Sequence, residues 1–416
     1  MCRFLKRHFS MCSNWMMTDT DSRELEVYVH IPFCVRKCRY CDFLSAPADA
    51  VVREKYVEVL EKQTERWALP GRTVSVFLGG GTPSVLNTEQ AGRIMDAVHR
   101  CFELTSDCEV TMECNPGTLN REKLEAYRSF GINRLSLGLQ SADDTELARL
   151  GRIHRFSDFR ENYLQAREAG FENISVDLMY GLPGQTVESW TETLKKVLDL
   201  RPEHLSVYSL IIEPGTEFYR LYHEDDERRG AGKRPSHLPS EDAVADMEQE
   251  TRRRMADAGF HRYEISNYAR NGFESVHNSG YWTRREYIGL GLGASSLLYR
   301  RNAQKLFGSR GTGPVRFHVS RDWNSYLKED FHAEELQTLS VRNEMEETMF
   351  LGLRMTRGVC LDDFYRTFGR SIEEVYPGKM ERFCREGLAQ LRDGRFSLTD
   401  RGMDLSNYVM ADFLLT

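Results

Sequence analysis

Cys34, Cys38 and Cys41 stand in the spacing C-x3-C-x2-C. Three thiolates this close can converge on one metal centre, and they leave its fourth position open. An iron–sulfur cube usually takes four cysteines, one per iron. A cube held by three keeps one iron for an exchangeable ligand, and an open coordination position is where metal chemistry takes place. The competing reading is a structural zinc site, which asks for four ligands, commonly in two close pairs. Asp42 and Phe43 follow Cys41, and Cys101, Cys108 and Cys114 are scattered, so no second pair follows the trio. The spacing therefore reads as three ligands to an iron–sulfur cluster.

Other residues could serve a ligand beside such a centre. Gly79-Gly80-Gly81-Thr82-Pro83 follows an apolar run, and consecutive glycines let a ligand approach the backbone closely. An ordinary turn is the plain alternative. Glu113 ends another apolar run, where a carboxylate is costly to bury unless paired; a solvated or capping acid is the alternative. Arg152 suits a carboxylate through bidentate hydrogen bonds, and Asp177 can accept from hydroxyls. Each of these, like Gln140, would read alone as an ion pair or a cap. Gly289-Leu290-Gly291-Leu292-Gly293 carries little weight as a phosphate loop, because no Rossmann unit surrounds it. It reads as backbone lying close to the cofactor site or to a neighbouring element.

These residues need elements to position them. Runs at 27–33, 74–78, 108–112, 134–139, 174–179 and 205–211 are rich in Val, Ile, Leu and aromatics, as strands are. Helical patterns at 52–67, 89–103, 121–130, 156–169 and 187–200 separate them, the third opened by an Asn120 cap. The rhythm predicts βα units and a mainly parallel sheet, as an open, partial (β/α)6 barrel; a doubly wound sheet would alternate in the same way. Cys34, Gly79–Gly81, Glu113, Gln140, Asp177 and Ile211 all fall at strand ends, and parallel barrels gather their sites at those C-terminal ends.

The charged segment 223–239 reads as a flexible loop, followed by a helix at 240–258. After residue 299 the chain changes character. Helices at 343–354, 361–368 and 379–390, a turn at Asp393-Gly394-Arg395 and a strand at 396–399 form an α+β, winged-helix-like pattern. Such a domain could hold a DNA-recognition helix or pack against the barrel; the net charge of −7 argues against nucleic acid. The expected organisation is a disordered tail at 1–23, a barrel at 24–220, a connecting region at 221–299 and a C-terminal domain at 300–416.

A chain of 416 residues exceeds one ordinary core. No apolar run reaches the eighteen or so residues that span a bilayer. Ten unevenly spread cysteines do not make a disulfide scaffold of this length and point to thiols kept reduced in the cytoplasm. The basic segment at 1–20 lacks the apolar stretch of a secretory signal, and Met16 or Met17 is an alternative start.

Tyr28-Val29-His30-Ile31-Pro32-Phe33-Cys34, with Cys38-Arg39-Tyr40-Cys41-Asp42-Phe43, resembles the radical S-adenosylmethionine (SAM) superfamily. Within it the chain is similar to the branch holding oxygen-independent coproporphyrinogen III dehydrogenase and the HemW-type heme chaperones, from about Tyr28 to the C-terminus. The resemblance implies a 4Fe-4S cluster on Cys34, Cys38 and Cys41, its free iron chelated by SAM. Electron transfer from that cluster would cleave SAM to a 5′-deoxyadenosyl radical. It implies SAM contacts at Tyr28, Gly79, Gly80, Gly81, Thr82, Glu113, Gln140, Arg152, Asp177 and Ile211. His277-Asn278-Ser279-Gly280-Tyr281-Trp282 resembles the H-N-x-x-Y-W element of HemW-type proteins. There a neutral imidazole can bind heme iron while Tyr and Trp cover the macrocycle; a histidine fixed by hydrogen bonds in a packed loop is the alternative. The dehydrogenase pattern has a further cysteine where Phe43 stands. A long N-terminal segment is also typical of it. The expected function is therefore a heme chaperone that receives heme, passes it to an acceptor protein and draws on an electron donor. The dehydrogenase and a zinc-stabilised binding protein are the alternatives. A homodimer through the C-terminal domain is allowed and not argued by any residue.

Overall fold

The computed structural model describes residues 24–308 and 313–415; the tail expected at 1–23 lies outside the described residues. The chain divides into a larger unit, Glu24–Ser279 with Glu286–Thr338, and a smaller one that includes Gly280–Arg285 and Leu339–Thr416.

The larger unit is built on six parallel strands: β1 (Glu24–Ile31), β2 (Arg72–Gly80), β3 (Glu103–Cys114), β4 (Arg134–Gln140), β5 (Asn173–Tyr180) and β6 (His204–Ser209). Each expected strand is present in its expected order. In β1, Leu25, Val27, Val29 and Ile31 alternate with Glu26, Tyr28 and His30; in β5, Ile174, Val176 and Leu178 alternate with Ser175 and Asp177. The register aligns the polar sets: Glu26 pairs with Ser75, Ser75 with Glu109, Glu113 with Ser136, Ser136 with Ser175, Gly138 with Asp177, and Asp177 with Ser206. Paired positions share a face of the sheet. The apolar set therefore lies on one face, in one core with Tyr56, Val57 and Leu60 of helix Ala50–Arg66 and Trp190, Leu194 and Val197 of helix Val187–Leu198. The polar set lines the inside of the partial barrel.

Further strands extend both edges: β7 (His261–Arg262), β8 (Asn267–Ala269), β9 (Glu286–Leu290), β10 (Ser295–Leu298), β11 (Val315–Val319) and β12 (Ala333–Thr338). The order β12-β11-β10-β9-β1-β2-β3-β4-β5-β6-β8-β7 is linear, so the barrel stays open. The expected boundary at residue 300 is corrected by this arrangement. Leu297, Leu298, Val315, Phe317 and Val319 are buried in or beside the barrel core, and the chain leaves the sheet only after Thr338. The glycines at 289 and 291 lie against neighbouring backbone, as the sequence predicts. A Cβ on Gly291 would stand 2.5 Å from the His30 carbonyl oxygen.

Of the segment read as a flexible loop, 223–239, only the second half is loop; the first half is instead the end of a helix, Glu217–Gly230. Thr216 caps its start by accepting from Tyr219 N, Phe218 is buried, and Asp225 accepts from Ser236 N at 2.8 Å and His237 N at 2.6 Å, which fixes the loop after it. The helix that follows, Glu241–Asp257, matches its expectation. Among the described residues no helix is long and apolar enough to cross a membrane.

The inside of the barrel is closed by charge pairing rather than by apolar packing. Glu109 lies 3.9 Å from Arg134, and both are buried. The same carboxylate accepts from Ser275 Oγ at 3.3 Å, Val276 N at 3.1 Å and His277 N at 3.1 Å. It thereby accepts from the amides that open helix Val276–Trp282.

The smaller unit has helices Val341–Gly352, Leu361–Phe368 and Lys379–Arg385, with an antiparallel sheet of Val359–Cys360, Arg395–Leu398 and Ala389–Arg392. The turn at Asp393 and Gly394 has positive φ at both residues, 50° and 72°, as a tight hairpin requires. Arg284, buried, pairs with Glu344 and Glu347 at 3.2 Å each.

Removing Glu109 leaves a buried guanidinium and several buried donors without their acceptor. Glu109→Ala is expected to destabilise the larger unit by roughly 3–5 kcal/mol, read as a lowered thermal unfolding midpoint. A midpoint equal to wild type would show that the interior tolerates an uncompensated Arg134.

Candidate functional site

The loop after β1 carries the three cysteines, and backbone bonds fix its path. Ala46 N donates to Pro32 O at 3.0 Å, Cys34 N to Ala46 O at 3.2 Å and Cys41 N to Cys38 O at 3.2 Å. Distant chain holds it too: Arg39 N donates to Leu150 O at 3.0 Å, and Arg36 Nη2 donates to Gly151 O at 2.6 Å and Arg152 O at 3.2 Å. The result is three half-buried, unpaired thiols lining one cavity of about 920 Å3 at the C-terminal ends of the strands. Burial raises the Cys34 and Cys41 thiols above their ordinary value, and each thiol's charge would oppose its neighbours'.

Opposite the thiols lie two carboxylates. Glu113, at the end of β3, accepts from Gly80 N at 3.0 Å, and Ser136 Oγ donates to both oxygens of Asp177 at 3.1 Å. Burial is the chief cause that pushes Glu113 up to about 8, and Asp177 beside it adds to the rise. Burial raises Asp177 too, against the hydrogen bonds from Ser206 and Ser136. Arg152 reaches the same space. It donates Nη1 to Cys38 Sγ at 3.6 Å and Nη2 to Asn115 Oδ1 at 2.5 Å and to Gly138 O, while its buried Nε has no partner.

Glycine is required here by the protein's own packing. A Cβ on Gly80, whose φ is +114°, would stand 2.6 Å from the His30 ring, and one on Gly81 2.5 Å from Phe33 O. Gln140 follows a bulge in β4 and holds a φ of 73°. That left-handed backbone is uncommon for a residue with a side chain and is often found where a side chain must be aimed.

Of the residues expected from sequence, Cys34, Cys38, Cys41, Gly80, Gly81, Thr82, Glu113, Gln140, Arg152 and Asp177 line this one cavity. Four do not. Gly79 is buried in β2 beside Tyr28 and Phe77. Tyr28 lies one step back: its hydroxyl is 3.0 Å from His30 Nδ1, and His30 Nε2 is 2.9 Å from Leu44 O. Ile211 is 67% exposed. His277 is only 1% exposed. It sits inside the barrel with Nδ1 2.8 Å from Ser75 Oγ and its ring stacked on Phe77 at 5.0 Å. A macrocycle has no route to that ring as it stands.

Ser136, Asn115, Gly138, Tyr40 and His154 also line the cavity and were not expected. Ser136 and Gly138 share the period-two face of Arg134 in β4, which is the signal that would have found them. His154 is buried with Nε2 unpartnered, and burial, with Arg152 beside it, lowers it to about 4.

The donor set can be tested against the group that the cysteines imply. Among the described residues no three Cys, His, Asp or Glu side chains gather closely enough to hold one metal ion. A zinc site with bonds of about 2.3 Å brings its sulfurs to roughly 3.8 Å of one another. A cube spreads its thiolates over separate irons, which suits three thiols that share a cavity without closing on one point. Deeper in, two carboxylates without a cation of their own and a guanidinium with a spare N–H would receive a ligand that carries both an ammonium group and a carboxylate.

Without such a ligand, Glu113 keeps its proton up to about pH 8 in the folded chain and loses it near 4.5 when unfolded. The folded state binds more protons between those values, so its stability falls as pH rises across that window. Glu113→Gln removes this loss. In metal-free protein the unfolding midpoint of the variant is expected to gain on wild type from about pH 5 to about pH 8. Parallel profiles would mean that Glu113 is ionised in the empty cavity.

Comparison with known proteins bears on the same residues. The radical SAM superfamily pattern matches residues 28–197, and the HemN C-terminal domain pattern matches residues 339–405. The heme chaperone HemW of Bacillus subtilis (strain 168) is 37% identical over 391 residues, 93% of this chain and 98% of that protein. The mitochondrial radical S-adenosyl methionine domain-containing protein 1 of Danio rerio is 31% identical over 410 residues, 94% of this chain and 86% of that one. Among solved structures, coproporphyrinogen III oxidase (HemN) from Escherichia coli superposes with a TM-score of 0.77 at 22% identity. That alignment covers 94% of this chain and 90% of the oxidase, a likeness of fold.

Proposed function

We propose that this chain, which belongs to the HemW family of the radical SAM superfamily, is a heme chaperone: it receives heme and passes it to an acceptor protein. The observation that carries the reading is the joining, in one chain, of the three-thiol cavity with similarity over nearly the whole length of a heme chaperone. Cys34, Cys38 and Cys41 would hold a 4Fe-4S cluster, and the cavity beside them would hold SAM. When bound, the cluster supplies a redox centre with one iron open to an exchangeable ligand.

The chain's own groups define the rest. Glu113 and Asp177 would attract the ammonium end of SAM, and Glu113 would give up its proton to receive it. Arg152 would meet its carboxylate. Gln140 is aimed by its left-handed backbone, and Gly80 and Gly81 keep the strand end bare of side chains. Phe43 stands exposed at the cavity lining, in the place where the dehydrogenase pattern has a cysteine. Thiols that must stay reduced to take up a cluster suit the cytoplasm.

The test is anaerobic reconstitution with iron and sulfide, followed by SAM, then hemin. The reading expects a cluster signal on reduction, lost when Cys34, Cys38 and Cys41 are all changed to Ser, and stoichiometric hemin binding by the wild type. Turnover of coproporphyrinogen III by the reconstituted protein would assign it to the dehydrogenase reaction instead.

A further inference from the structure

A second pocket, of about 500 Å3 including its opening to solvent, is lined wholly by residues of the smaller unit. Met355, Val359 and Phe364 form apolar parts of its wall, and across it three arginines, Arg284, Arg357 and Arg395, meet a single acid, Asp363. Arg284 and Asp363 are each paired within the unit: Arg284 with Glu344 and Glu347, while Asp363 accepts from Arg366 Nη2 at 2.5 Å.

Arg395 is different. Its Nε donates to Arg357 O at 2.9 Å and its Nη2 to Gly358 O at 3.3 Å. Both acceptors are backbone carbonyls, which orient the guanidinium without neutralising it. Arg357 lies near enough to Arg395 and Arg285 for their like charges, after burial, to lower its pKa. A second lining residue asks for an acceptor as well: the indole N–H of Trp282 is buried with no hydrogen-bond partner. Arg354 covers one face of that ring at 4.2 Å.

A guanidinium cluster and an orphaned donor both call for acceptor oxygens with negative charge, and Arg binds carboxylates strongly through its fork of N–H groups. The apolar wall favours an anion that carries a hydrocarbon body over a small, fully hydrated one. The ligand class is therefore an organic carboxylate with an apolar body. We propose that this pocket receives the propionate edge of a porphyrin, its carboxylate pairing with Arg357 and Arg395. The proposal rests on the heme-chaperone reading and deepens it. It puts the charged grip on heme in the smaller unit, beside the Trp282 end of the H-N-x-x-Y-W element rather than at His277.

The test titrates the full-length protein with hemin, with protoporphyrin IX and with protoporphyrin IX dimethyl ester, in which both propionates are uncharged. Wild type is compared with Arg357→Gln, Arg395→Gln, the charge-keeping Arg395→Lys and, as a control on the same hairpin, the exposed Arg392→Gln. The Gln variants are expected to bind hemin and protoporphyrin IX roughly 10- to 100-fold more weakly, the loss of a hydrogen bond to a charged group. Arg395→Lys recovers part of that loss, and Arg392→Gln behaves as wild type. The dimethyl ester binds wild type and variants alike, more weakly than the acid binds wild type. If the Gln variants hold hemin as tightly as wild type, or wild type holds ester and acid equally well, the pocket is not the propionate site, and the chaperone reading stands. If wild type binds no hemin at all, both fall. The ester comparison on wild type alone decides the matter should a variant fail to fold.

Discussion

The larger unit is organised around an unpaid electrostatic debt. Glu113 and Asp177 face one cavity, both raised by burial, and the charge of Asp177 makes Glu113 harder to ionise. Of the two buried arginines that attract Asp177, Arg134 lies against Glu109 and Arg152 is bonded to Asn115 and Gly138. Two carboxylates kept apart from their counter-charge are costly in a folded chain unless a ligand brings it. The site is thus built for a cation before any cofactor is named. Arg152, set beside Cys38 with a spare buried N–H, adds the matching need for an anion. A zwitterion satisfies both ends at once, and its binding must be coupled to proton release.

The period-two alternation of the strands makes this arrangement. Apolar residues at every second position supply the core, and the register lines up the remaining positions into polar rows. Much of that was legible in the sequence: the six strands, their order, the cysteine loop and the polar residues at strand ends. What could not be read was depth along the barrel. Tyr28 and His277 lie on the polar face but below the cavity, and Ile211 stands past the end of β6 in solvent. Ser136 went unnoticed because a serine carries no signal until its hydrogen bond to Asp177, from β4 to β5, is seen. Gly79 was grouped with its neighbours by sequence, whereas it lies deeper on the inner face, covered by the Phe77 and Tyr28 rings.

The boundary at residue 300 failed for a related reason. The basic and glycine-containing stretch there resembles a linker, yet β10, β11 and β12 pair antiparallel beyond β9, and β10 and β11 hide their apolar residues in or against the barrel core. Antiparallel additions to a parallel sheet need no crossover helix, so the βα rhythm that revealed the first six strands is silent about them. The helix at Glu217–Gly230 was masked in the opposite way: its charge suggested solvent, but Phe218 and Asp225 bury its inner face.

The H-N-x-x-Y-W element shows how one motif can serve two ends. Its histidine is drawn into the barrel, where Glu109 accepts from its backbone, Ser75 holds its ring nitrogen and Phe77 stacks beneath it. Its tryptophan belongs to the smaller unit and lines the arginine pocket there. For the histidine to reach an iron, the Ser75 hydrogen bond would break, the stack on Phe77 would separate and Glu109 would lose its donors, leaving Arg134 beside a poorly satisfied carboxylate. Each loss is of order one to a few kcal/mol. The histidine is better understood as the fixed end of the motif, and the tryptophan as the end left available to a ligand.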